Sequence, residues 1–129
     1  MKREDGFTVI ELVIFFVILA VLAVFFVIQK LDLDASYKDQ DRKIAVNAMY
    51  YSLTEVFYEE NRYYPSEIED DTLWAIDPEL LYDPWGIFVG EADGDYRYEG
   101  LDCDNNGRCK KFKLTAELEK EAEYVREVY

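Results

Sequence analysis

The strongest constraint on this chain is an apolar run from Leu12 to Ile28 without one polar or charged residue, headed by a single carboxylate, Glu11. Phe7 to Ile10 extends the run upstream with only Thr8 polar, and the next charge is Lys30. As a helix, Phe7 to Ile28 reaches about 33 Å at 1.5 Å per residue, which spans a hydrocarbon core of about 30 Å. A carboxylate in such a segment costs roughly 2.5–3.5 kcal/mol on insertion scales, so its partner matters. Two readings are open at this point. Glu11 pairs with a cation inside an apolar assembly, or it belongs to a signal anchor and snorkels to the headgroups.

The order of features departs from a secretory signal, which places a small-residue cleavage site after its apolar core. Here Gly6 precedes the run, and Gln29-Lys30-Leu31-Asp32 follows it. The apolar segment is therefore expected to stay in the mature protein.

About 100 residues remain for a single modest domain. Net charge is −14, from 28 acidic and 14 basic residues. Lys2, Arg3, Glu4 and Asp5 cancel, so all of that charge except Glu11 falls on the domain. An acidic domain repels phosphate backbones, and direct nucleic-acid binding is not expected. Hydrophobic content of 50% and aromatic content of 16% exclude a chain unable to form a core. Catalytic candidates are lacking: there is no His, no Gly-rich phosphate loop, and no Ser or Cys beside a base. The pairs Glu59-Glu60 and Asp70-Asp71 read as solvated faces.

Past Gln29 a helical pattern resumes. Ala45, Ala48, Met49, Ser52, Leu53, Val56 and Phe57 form one stripe at three- and four-residue spacing. Neither Gly nor Pro interrupts Phe7 to Tyr63, so the economical reading is one long helix ending near residue 63. Pro65 pushes Tyr64 out of the α region. Residues 64–86 read as a loop closed by the turn Asp83-Pro84-Trp85-Gly86. Trp74, Ile76, Leu80 and Trp85 are expected in the core. Residues 87–128 read as an antiparallel sheet. Tyr96 and Tyr98 alternate with charged residues, Phe112 to Leu118 alternate again, and a last strand follows in Tyr124 to Tyr129. The fold class is α+β.

Gly6, Phe7 and Glu11, with Thr8-Val9-Ile10 and Leu12 between and after them, resemble the prepilin motif of the type IV filament superfamily, which includes type IV pilins and type II secretion pseudopilins. The Asn61 to Pro65 helix exit and Asp83-Pro84-Trp85-Gly86 also resemble that family. The resemblance implies a pilin-like fold with residues 1–6 as a leader, 7–29 as a membrane and filament-core helix, and 30–129 as an extracytoplasmic head. It implies cleavage between Gly6 and Phe7 by a prepilin peptidase, N-methylation of Phe7, and pairing of Glu11 with the Phe7 amine of a neighbouring subunit. The implied partners are further copies of the chain, the cytoplasmic membrane, an assembly platform and a motor ATPase. The function it favours is a major-type pilin of a surface filament. A major pseudopilin of a secretion system is the alternative, and a non-polymerising, membrane-anchored acidic binding module is a reading from another class. Many members carry a helix-bending Pro where this chain has Val27-Ile28-Gln29, which leaves partial melting of the stem without its usual cause.

Two further features concern the hairpin region. Cys103 and Cys109 are expected to form a disulfide outside the cytoplasm. Asp102, Asp104 and Asn106 stand at alternate positions before Gly107, as in the first half of a calcium loop. Lys113 stands where a bidentate Glu is needed, and Asp93 and Asp95 are possible extra ligands. The competing reading is a plain hairpin turn at Asn106-Gly107 stapled by the cysteines.

Overall fold

The computed structural model describes residues 6–129. The first five residues of the expected leader, Met1 to Asp5, lie outside the described residues. Two units result, Met1–Ala35 and Ser36–Tyr129.

In the first unit, helix α1 (Val9–Tyr51) begins, and it continues into the second unit. Val27-Ile28-Gln29 is α-helical like its neighbours, because no Pro or Gly removes a hydrogen bond there. Every residue from Gly6 to Asp34 is exposed. Among the described residues, one helical span is long and apolar enough to cross a membrane.

The second unit holds the core. After α1 come a π-helical turn at Ser52–Phe57 and a short helix α2 (Tyr58–Asn61). The π turn is marked by the Tyr58 N–H donating to the Leu53 carbonyl, five residues back. The helical span ends at Asn61 rather than 63, because Arg62 turns left-handed (φ 62°) while its N–H donates to Tyr58 O at 2.7 Å. Tyr64–Pro65, expected within the loop, form strand β1, with Tyr64 opposite Cys109 and Pro65 opposite Arg108. Pro is tolerated there because the strand lies at the sheet edge.

A 3₁₀ turn at Pro78–Leu81 is capped by Asp77, whose carboxylate accepts from the Glu79 N–H. Strands β2 (Tyr96–Cys103), β3 (Arg108–Ala116) and β4 (Tyr124–Glu127) complete an antiparallel sheet. The central strand β3 pairs with β2 along one side, while β1 and β4 pair with its two ends. Strand β3 stops at Ala116 rather than near Leu118, since the Glu117 N–H turns to Asp95 O and the Glu119 and Lys120 amides turn to Asp39.

Ala45, Val46, Met49 and Leu53 of the helical segment form one core with Tyr96, Phe112, Leu114 and Ala116 of the sheet. Phe112 is fully buried, ringed by Tyr64, Tyr50 and Tyr98 with centroids 4.8, 5.7 and 5.8 Å away. Trp74 and Trp85 are exposed, contrary to expectation. In the Asp83–Gly86 turn it is the aspartate that goes inside. Asp83 accepts from the Trp85, Ile87 and Asp95 amides, each at 2.9 Å, while the Trp85 ring faces outward with the Lys38 ammonium 4.7 Å above it.

Candidate functional site

Thr8 precedes the first helical residue, and its position relative to Glu11 closes a reciprocal cap. The Thr8 N–H donates to Glu11 Oε2 at 2.9 Å, the Thr8 hydroxyl donates to the same oxygen at 3.1 Å, and the Glu11 N–H donates to the Thr8 hydroxyl at 3.4 Å. This is a capping box, which satisfies amides at a helix start that have no partner in the helix itself. The carboxylate also sits at the positive end of the helix dipole. In the single chain, therefore, the charge at the head of the apolar run is held by its own helix terminus.

Gly6 and Phe7 lie just before this cap, in non-helical chain. Phe7 is 87% exposed, and a Cβ added to Gly6 meets nothing within 4 Å. Thr8 is the residue that the sequence reading missed. Its signal was present as Thr8-x-x-Glu11 before an apolar run, the pattern of a capping box.

A second polar constellation lies inside the head. Arg42 is buried, with its guanidinium 2.9 Å from Asp39, 2.8 Å from Asp95 and 3.1 Å from Glu119. Asp39, also buried, accepts from the Glu119 N–H at 2.8 Å and the Lys120 N–H at 2.9 Å. Burial works against its ionisation, but these amides and Arg42 outweigh it and hold the carboxyl below its ordinary range. The cluster joins α1, the turn before β2 and the β3–β4 connection. Helical periodicity places Arg42 in line with Ala45 and Met49, but a charged residue there reads as solvated until its acidic partners are known.

The hairpin loop is organised by backbone bonds. Cys103 and Cys109 face each other across β2 and β3 and form a disulfide. Asp104 accepts from the Asn106 and Arg108 amides at 2.9 and 3.0 Å, and its pKa is lowered, chiefly by the Arg108 amide. Asp102 takes a left-handed φ of 53° and lies 3.6 Å from Lys111 Nζ. Asp95 belongs to the Arg42 cluster. Each acidic candidate but Asp93 is thus engaged elsewhere, and among the described residues no group of three or more His, Cys, Asp or Glu could hold a metal. The loop has the geometry of a capped turn.

Residues 1–27 match the prokaryotic N-terminal methylation motif, which marks type IV pilin-like prepilins. The long N-terminal helix and small antiparallel sheet fit that class, whose members are structural rather than enzymatic. The motif's span covers Gly6, Phe7, Thr8 and Glu11 together. No curated protein and no solved structure matches the chain significantly.

Proposed function

We propose that this chain is a major-type pilin that polymerises into a type IV pilus-like surface filament. The observation that carries the reading is the methylation motif at residues 1–27 on a helix whose apolar side chains are exposed throughout Val9 to Leu33. So large an apolar surface needs a lipid or protein partner. A membrane covers it in the precursor, and the same faces of other copies cover it in a filament.

Cleavage between Gly6 and Phe7 would release an amine one residue from Thr8. Away from water, Glu11 needs a cation more than it needs neutral donors. The Phe7 amine of a neighbouring copy supplies that charge, so Glu11 would exchange its own cap for an intersubunit pair. The prepilin peptidase, platform and motor ATPase are the partners this reading requires.

Mass spectrometry of the mature N-terminus tests it. A chain beginning at methylated Phe7 is expected, and one retaining Met1 favours the anchored binding module. Glu11→Gln should leave membrane insertion intact and reduce assembly. Normal filaments from that variant would sink the Glu11 mechanism. The buried Asp83 of the Asp83–Gly86 turn favours a second reading, a secretion pseudopilin, by its likeness to the turn that introduces the sheet in major pseudopilins. Imaging surface filaments in cells with and without the chain separates the two.

A further inference from the structure

Strand β2 pairs with β3 on one side and, among the described residues, with no strand on the other. Two bonds at its start fix which way its main-chain groups point. The Glu117 N–H, just past β3, donates to Asp95 O, so Asp95, Arg97 and Glu99 turn their main-chain groups to β3. The Gly90 N–H donates to Tyr96 O, so Tyr96, Tyr98 and Gly100 turn theirs to the free side. Gly90 occupies the Tyr96 carbonyl. The main-chain N–H and C=O groups of Tyr98 and Gly100 have no partner on that side among the described residues. Asp102 then turns left-handed (φ 53°), which ends the regular edge.

From this open edge and the groove beside it, we infer that residues 98–100 receive an extended, basic peptide segment of another protein as an added strand. The inference does not rest on the filament reading. The groove has a volume of about 620 Å³ and is bounded by β2, residues 66–68 and residues 88–91. Ile68 and Phe88 give it apolar surface. Glu67, Glu91 and Glu99 also line it, all three exposed and none in a salt bridge among the described residues, and no Lys or Arg lines it. A sheet edge binds an extended peptide through main-chain bonds, and the side chains around it choose the peptide.

Successive side chains of an added strand point to opposite faces. A position beside Glu99 favours Lys or Arg, because opposite charges on neighbouring strands attract and like charges repel. The same rule disfavours a second copy as the occupant. Its β2 carries Glu99 in the same window, and two β2 edges paired about their centres would set carboxylate against carboxylate. The shortness of the window, closed by Gly90 at one end and Asp102 at the other, also blunts open-ended pairing of copies.

The test uses the full chain in detergent and a fluorescent hexapeptide alternating Lys and Val. Anisotropy reads binding, and NMR reads exchange of the Tyr98 and Gly100 amides. Saturable binding that slows exchange at both amides is expected. Two further forms of the peptide, N-methylated at its odd or its even amides, keep the same charge. The form methylated on the edge facing β2 should bind about tenfold or more weakly, and the other should bind as before. Replacing Glu67→Gln, Glu91→Gln and Glu99→Gln together should also weaken binding about tenfold, with the melting temperature unchanged because all three are exposed and unpaired. No saturable binding overturns the inference. No difference between the two methylated forms, or binding without slowed exchange at the two amides, reduces the contact to surface charge and overturns it too. Slow exchange at both amides before peptide is added, lost on dilution, assigns the edge to a second copy instead.

Discussion

Arg42 and Asp39, one helical turn apart, form a 2.9 Å ion pair with side chains only 2% and 5% exposed. Both faces of this pair reach beyond the helix: Arg42 to Asp95 and Glu119, Asp39 to the Glu119 and Lys120 amides. The pair is the point at which the long helix, the loop before β2 and the β3–β4 connection are fastened together. A buried charge without a partner is far more costly than the pair is stabilising, so this cluster fails as a unit.

Replacing Arg42→Met should destabilise the head by about 3–5 kcal/mol, because Asp39 would stay buried without its cation. Urea unfolding of the full chain in detergent, followed by tyrosine fluorescence, measures it. A loss below about 1 kcal/mol would show that the carboxylates relax to solvent.

Asp39 also sets an acid limit. Its folded pKa is lowered from 3.8, so its contribution is fully present above about pH 4 and is lost as pH falls through the lower folded value. Acid unfolding should therefore set in below pH 4, and Asp39→Asn should be less stable at pH 7 with a flatter acid limb. On the alkaline side, burial pushes Tyr96 up to about 12 from 10. Its contribution is fully present below pH 10 and is lost as pH rises through about 12. Thermal melting across both ranges checks the signs.

Gly100 offers a steric test of the hairpin. A Cβ there would sit 2.6 Å from Cys109 Sγ and 3.1 Å from both Pro65 O and Ser66 Cα. Two of these atoms are backbone and the third is tied in a disulfide. Gly100→Ala should cost about 1–3 kcal/mol through overpacking, read as a fall in the urea midpoint. The same substitution at Gly6, where nothing lies within 4 Å, should leave that midpoint unchanged.

Calcium should neither release heat on mixing with the full chain nor raise its melting temperature. Asp102 is next to Lys111, and Asp104 is engaged with the Asn106 and Arg108 amides. A saturable calorimetric signal would mean that the loop reorganises around the ion.

Much of the architecture was legible in the chain itself. The absence of Gly and Pro from Phe7 to Tyr63 dictates a long helix, and the alternation at Tyr96–Tyr98 and Phe112–Ala116 dictates strands. Pro65 and Arg62 show where that reading stops. Pairing of Tyr64–Pro65 with the start of β3 depends on a partner more than forty positions away in the chain, on the order that makes local pattern silent. The exposure of Trp85 was likewise invisible, because the turn chemistry of Asp83-Pro84-Trp85-Gly86 says nothing about which residue faces inward.

By itself, the sequence determined the apolar helix, the carboxylate at its head and the N-terminal methylation motif that contains it, because each is a matter of residue type at short, fixed spacing. Only the tertiary structure decided what the charges do. It shows Glu11 closing a cap with Thr8, Arg42 buried among three carboxylates, and Asp102 and Asp104 engaged by Lys111 and the backbone. The reason is electrostatic. A charge is read as solvated until its partner is known, and most of these partners are brought close by folding rather than by sequence.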